Sequence, residues 1–201
     1  MRRPDRIVLA TGNAKKLVEL RRVLAAEGVD VEVLGLGDFP AYPEPAETER
    51  TFEGNALIKA TEAARRTGLI AVADDSGIEV DELNRMPGVR SARWAGPQCD
   101  DAANNALLLA QLDGVPAERR TGRFVCALAV VAPDGEIRVW HGAMEGRVAE
   151  APAGQGGFGY DPLFVPDGET RSSAELTAEE KDAISHRGKA VRAFVAFLKE
   201  L

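Results

Sequence analysis

One short stretch constrains the fold more than any other. Four apolar residues, Ile7-Val-Leu-Ala10, run directly into Thr11-Gly-Asn13, and Leu17, Leu20 and Leu24 then recur at spacings of three and four. A short apolar run stopped by turn residues reads as a buried strand. The recurrence after it reads as an amphipathic helix from Ala14 to about Glu27, with Gly28 as its stop. A second strand is expected over 29–34, then a loop over 35–50 that holds three prolines. The stripe Phe52, Ala56, Ala60 and Ala63 predicts a helix over Thr51–Arg66. Leu69–Ala73 reads as a strand that ends at Asp74-Asp75-Ser76-Gly77, with a return strand over 78–83.

Further on, 86–98 reads as loop and 102–112 as helix, while 124–132 and 137–148 flank Pro133-Asp-Gly-Glu136 as a hairpin. A glycine-rich loop over 151–168 precedes a helical end from Thr177, where Thr177 and Glu180 match a capping box and Ser185 offers a second cap. Helices alternating with strands, then a hairpin, predict an α/β fold with a mixed sheet in one domain spanning 1–201.

Charge narrows the function. The chain carries 25 basic and 32 acidic residues, a formal net charge of −7. A general nucleic-acid coat needs a basic face to displace counterions, so that class is excluded. A small anionic ligand needs only a local positive pocket. Just six residues are Lys and two are His, so a segment holding both stands out. No apolar run approaches the roughly 20 residues of a membrane span. The four apolar residues after the basic start are too few for a signal peptide, which leaves a cytoplasmic protein as the expectation. Cys99 and Cys126 have neither zinc nor disulfide-framework spacing.

Four segments carry possible chemistry. Thr11-Gly-Asn-Ala-Lys-Lys16 joins a strand to a helix start, where unpaired N–H groups, the glycine and a lysine suit a phosphate. The alternative is that Asn13 caps the helix and the lysines face solvent. Asp74-Asp75-Ser76-Gly77 sets two carboxylates at a strand end, which suits Mg²⁺ or an Asx turn. Gly154 to Pro162 offers Phe158 and Tyr160 as faces for a planar base, or as rings tucked into the core. Lys181, His186 and Arg187 cannot share one face of an unbroken helix, since five residues turn roughly 140°. A break at Ser185 would let their donors converge on a base or phosphate; otherwise they form a solvated face.

In order, these segments resemble the inosine triphosphate pyrophosphatase family, also called Ham1-like or RdgB-like. The resemblance rests on Leu9-Ala-Thr-Gly-Asn-Ala-Lys-Lys16, Thr51-Phe-Glu-Gly-Asn-Ala-Leu-Ile-Lys-Ala60, Ala73-Asp-Asp-Ser-Gly-Ile78 and Pro87-Gly-Val-Arg-Ser-Ala-Arg93. It also rests on Gly156-Gly-Phe-Gly-Tyr-Asp-Pro162 and Ala174-Glu-Leu-Thr177, continuing to Lys181 and Ser185-His-Arg-Gly188. It implies an elongated two-lobed fold with a central mixed sheet flanked by helices, its site in the cleft, and a homodimer. It implies Mg²⁺-dependent hydrolysis of ITP, dITP and XTP to the monophosphate and pyrophosphate.

Carried over, Thr11, Gly12, Asn13 and Lys16 bind the triphosphate. Asp75 is metal ligand and proton acceptor, and Ser76 touches the substrate. Phe158, Gly159, Tyr160 and Asp161, with Lys181, His186 and Arg187, hold base and sugar. Glu47 falls where the family has a metal-associated Glu in a Glu-Thr-Gly run, although here the run is Glu47-Thr-Glu49. Two rivals are a Maf-type pyrophosphatase acting on other modified nucleotides and a non-catalytic nucleotide-binding regulator. The Gly157–Tyr160 and Ser185–Gly188 segments argue against the first, and the retained Asp pair against the second.

Overall fold

The computed structural model describes Met1 and residues 3–201. In chain order the elements are β1 (Arg6–Leu9), α1 (Ala14–Ala26), β2 (Glu32–Gly35), α2 (Phe52–Thr67), β3 (Ile70–Val80), β4 (Met86–Pro87) and α3 (Asp101–Gln111). They continue with β5 (Thr121–Val131), β6 (Ile137–Val148), β7 (Phe164–Pro166), α4 (Ala178–Ile184) and α5 (His186–Glu200). The strands form one seven-stranded sheet in the order β2-β1-β3-β5-β6-β7, with β4 paired to β3. β1 is parallel to both β2 and β3, whereas β4 and β7 are antiparallel to their neighbours, so the expected mixed α/β sheet is present.

The chain divides into two compact units. The first holds Met1–Asp75, Cys126–Gly142 and Arg187–Leu201, and the second holds Ser76–Val125 and Ala143–His186. In the first unit β1 and β3 carry buried residues on both faces, as parallel strands covered by helices do. One face sets Ile7, Leu9 and Val72 against Leu20, Val23 and Leu24 of α1 and Val191, Phe194 and Leu198 of α5. The other sets Val8, Ala10, Ala71 and Ala73 against Ala56, Ala60, Ala63 and Ala64 of α2. This second seam is almost entirely alanine, so α2 and the sheet meet with little side-chain volume between them.

In the second unit Ile78 and Val80 pack with Leu108, Leu112, Phe124, Met144 and Phe164. Phe124 and Phe164 meet edge to face at 4.7 Å between ring centres, a preferred aromatic geometry.

One expectation is overturned. Asp74-Asp75-Ser76-Gly77 is not a turn between two strands: β3 runs unbroken from Ile70 to Val80. The residue types favour a turn locally, but long-range partners for both carboxylates keep the extended backbone. Other boundaries moved by a few residues, and β4 and a 3-10 turn over Gly88–Arg93 replace part of the expected loop. The capping box at Thr177 and the break at Ser185 are present, with Ser185 extended at φ −64 and ψ 151 between α4 and α5.

Candidate active site

The predicted side chains fall into one cluster in each unit. In the first, the turn after β1 is set by its own polar groups. Thr11 Oγ1 accepts from the Asn13 N–H at 3.1 Å, and Asn13 Oδ1 accepts from the Lys15 N–H at 2.9 Å. Asn13 is therefore the cap of α1, while exposed Gly12 has open space where a side chain would project. Lys16, in the first turn of α1, points to β3 and donates to Asp74 Oδ2 at 2.9 Å. Arg187, at the start of α5, reaches the same oxygen through Nε at 3.1 Å and donates through Nη1 to Glu19 at 3.0 Å. Asp74 is 4% exposed. Burial alone would raise its pKa, but the Lys16 and Arg187 charges outweigh burial and hold the carboxyl well below the usual range.

Asp75 faces α2. Its Oδ1 accepts from Lys59 Nζ at 3.2 Å and its Oδ2 from Asn55 Nδ2 at 3.3 Å. The same Lys59 ammonium donates to Glu47 Oε1 at 3.0 Å. Asn55 also accepts from the Glu49 N–H at 3.0 Å, which pins the loop bearing Glu47 against the first turn of α2. The loop lies so close there that a side chain at Gly54 would meet Glu49 Cβ at 2.6 Å. Burial raises the Asp75 pKa; Lys59 opposes this and the Glu47 charge adds to it. Lys59 is held above the usual lysine value, because the charges of Asp75, Asp74 and Glu47 exceed the cost of its burial.

Among the described residues no group of three or more His, Cys, Asp or Glu could enclose a metal ion. Mg²⁺ does not need such a cage, since it keeps waters and is commonly held by one or two carboxylates plus substrate phosphates. Glu47 and Asp75, converging on one cation, fit that requirement.

In the second unit the loop over 157–161 is folded around Asp161. Its Oδ2 accepts from the Phe158 N–H at 2.8 Å and from Lys181 Nζ. Gly157 takes φ +71, and a side chain there would come within 2.1 Å of that carboxylate oxygen. From α3, Asp101 accepts from the Gly159 N–H at 2.8 Å and Asn105 donates to the Gly159 carbonyl at 2.9 Å. Lys181 Nζ lies 5.3 Å from the Phe158 ring centre. The buried His186 ring stacks on Phe124 at 5.0 Å.

Tyr160 corrects the expectation of two stacking faces. Its ring is buried in the core and its hydroxyl donates to the Ser91 carbonyl at 2.8 Å, so a face for a planar base remains only at half-buried Phe158. The break at Ser185 is present, but the expected convergence of the three side chains is corrected: Lys181 engages Asp161, His186 stacks on Phe124 and Arg187 engages Asp74. Ser76 is the first residue of the second unit.

A model of the Ham1 family matches residues 7–197. The chain belongs to the Ham1 family. A protein of Frankia alni named dITP/XTP pyrophosphatase is 60% identical over 98% of this chain and 98% of its own. A crystal structure titled nucleoside-triphosphatase / dITP/XTP pyrophosphatase from Mycobacterium abscessus matches 94% of this chain and 97% of its own, at 58% identity and a TM-score of 0.78. The structure of a HAM1 protein from Coxiella burnetii covers 98% of this chain and 99% of its own, at 39% identity and a TM-score of 0.89.

Within this Ham1-family chain, sequence reasoning assigned no role to Asn55 and Lys59. Their signal was visible: two polar residues four apart on a helix lie on one face, and here they flank the apolar stripe through Ala56 and Ala60. Both side chains are buried, and both serve Asp75.

Proposed function

We propose that the chain hydrolyses non-standard purine nucleoside triphosphates, namely ITP, dITP and XTP, to the monophosphate and pyrophosphate, and so clears the nucleotide pool of bases that would be misincorporated. The observation that carries this reading is the convergence of Glu47 and Asp75 on the Lys59 ammonium, with Lys16 of the first turn of α1 bound to the neighbouring Asp74. Full-length similarity to proteins named dITP/XTP pyrophosphatase supports the choice of substrate.

The chemistry follows from the groups present. Backbone N–H groups at the start of α1 and the Lys16 ammonium take phosphate oxygens. Glu47 and Asp75 are the residues that would hold Mg²⁺, which when bound would supply positive charge to offset that of the phosphates. Asp75 orients a water and accepts its proton as the oxygen attacks the α-phosphorus. The bond from that phosphorus to the bridging oxygen breaks, and the electron pair leaves with pyrophosphate. Attack at this atom yields pyrophosphate rather than single phosphates.

For the base, Phe158 offers a stacking face and Lys181 a donor for a 6-oxo group. A 6-amino base would leave that donor unpaired, which penalises adenine nucleotides. The same reading takes the working form as a cytoplasmic homodimer, on the family resemblance. Among the described residues no helix is long and apolar enough to cross a membrane.

The test is a pyrophosphate-release panel with ITP, dITP, XTP, GTP and dTTP, with and without Mg²⁺. Turnover of the first three that requires Mg²⁺ is expected. Hydrolysis of none of the five would overturn the enzyme reading, and a preference for dTTP would favour the Maf-type rival.

A further inference from the structure

Four charged side chains of the first unit form an open ion-pair circuit, Lys16–Asp74–Arg187–Glu19, that the mechanism above uses only in part. Lys16 of α1 donates to Asp74 of β3, Arg187 of α5 donates to the same Asp74 oxygen, and Arg187 also donates to Glu19, one turn beyond Lys16 on α1. The circuit is neutral in sum and largely buried, with side-chain exposures of 16% for Lys16, 3% for Asp74, 7% for Arg187 and 13% for Glu19. Its members come from two helices and the strand between them.

Helix starts repel cations, because their exposed N–H groups carry partial positive charge. Lys16 lies in the first turn of α1 and Arg187 in the first turn of α5. Each is placed where its own helix disfavours it, and each is turned onto one buried carboxylate. A lysine side chain is long and flexible, and fixing it costs rotamer entropy. An ammonium has three N–H donors. Asp74 engages one of them at 2.9 Å, which leaves the Lys16 head held in place with donors still to give.

We propose that Asp74 is a positioning residue: it fixes the Lys16 ammonium beside the start of α1 so that its remaining N–H groups meet the oxygens of a triphosphate. Arg187, anchored by Glu19, holds the Asp74 carboxylate in register. Asp74 and Asp75 then divide their labour. Asp75 serves the metal and the water on the α2 face, and Asp74 serves the phosphate-binding lysine on the α1 and α5 face. The inference rests on the phosphate-binding role given to Lys16 under the proposed function, and its sign is unusual. Simple electrostatics predicts that deleting a carboxylate beside Lys16 tightens anion binding, whereas positioning predicts that it weakens.

The test is a double-mutant cycle on binding, which requires no turnover. Inorganic triphosphate is titrated calorimetrically, in the presence of MgCl₂, into the wild type, Asp74→Asn, Lys16→Met and the double variant, with circular dichroism and thermal melting as fold controls. Asp74→Asn is expected to raise the triphosphate Kd by about tenfold, and by less than about twofold in the Lys16→Met background. Asp74→Glu, which keeps the charge but moves it by one methylene, covers the case in which Asp74→Asn fails to fold. It is expected to weaken binding with the same dependence on Lys16.

Tighter binding, or an equal loss in both backgrounds, would overturn the inference, as would a wild type that binds no triphosphate. The nucleotide panel is read separately. A protein that hydrolyses none of the five nucleotides while showing the coupling retains the positioning role and loses the proposed activity.

Discussion

Asp74 and Asp75 are consecutive in the chain, yet their carboxylates are taken up on opposite faces of one sheet, Asp74 by Lys16 and Arg187 and Asp75 by Lys59 and Asn55. The alternation of an extended strand does this unaided: Val72 lies on the Asp74 side, and Ala71 and Ala73 lie on the Asp75 side. Two adjacent carboxylates therefore avoid most of their mutual repulsion, and each acquires a separate set of cations.

Asp75→Asn is expected to lower kcat by a factor of about 10² to 10⁴, the usual contribution of a positioned base, with little change in melting temperature. Steady-state pyrophosphate release and a thermal melt check both. Turnover within a few-fold of the wild type would refute the assigned role.

The pH dependence has a definite sign. Burial raises the Asp75 pKa, and Lys59 is the foremost partner pulling it back down. In the metal-free protein the Asp75 carboxyl should therefore titrate above the ordinary Asp value of 3.8, read by NMR of the side-chain carboxyl carbon without Mg²⁺. Lys59→Met removes the opposing charge, so the Asp75 titration should move to higher pH. A titration that stays in place, or moves down, would refute the balance drawn between burial and Lys59.

Gly157 and Gly159 make a controlled pair. Both have positive φ, +71 and +61, but a side chain at Gly157 would strike the Asp161 carboxylate whereas one at Gly159 has open space. Gly159→Ala should cost only the backbone penalty, about 1–2 kcal/mol. Gly157→Ala should cost the same and also dislodge Asp161 from the Phe158 N–H, raising KM for the nucleotide severalfold. Equal KM values in the two variants would sever the link between Asp161 and the substrate.

Arg120 is a stability prediction. Its buried guanidinium donates to the carbonyls of Leu112, Val148 and Ala149 at 2.8, 3.0 and 2.9 Å. Arg120→Met strands three acceptors and should cost about 3–5 kcal/mol. At roughly 2–4 °C per kcal/mol for a chain of this size, the melting temperature should fall by about 6–20 °C. Arg120→Lys should recover part of the loss, since an ammonium can serve some of the carbonyls.

What was legible in the sequence was whatever local pattern controls. The strand, turn and helix at Ile7–Ala26 could be read because hydrophobic period, cap and stop agree within one segment. The hairpin around Asp134-Gly135 and the Thr177–Glu180 capping box were readable for the same reason. The path of β3 through Asp74–Gly77 was not, because its turn-forming residues are overruled by partners distant in sequence, Arg187 being 113 residues away. Lys59 was hidden likewise: a lysine on a helix is ordinarily solvated, and only the folded chain brings Glu47 and Asp75 to it. The stacking role given to Tyr160 failed because the same composition serves a core ring equally well, and the Ser91 carbonyl that claims its hydroxyl lies 69 residues upstream.

The alanine seam beneath α2 has a consequence for how such a site varies. Asn55 and Lys59 have side chains of fixed length, and their reach to Asp75 is set by how low the helix rides on the sheet. Ala56, Ala60, Ala63 and Ala64 on one side, with Ala71, Ala73 and Ala129 on the other, act together as a gauge block. Added volume at any of them would lift the helix and draw the cation away from its carboxylates without altering a single polar residue. Drift in the least reactive side chains of the protein is thus a route by which a lineage could detune this chemistry while every polar group of the site remained in the sequence.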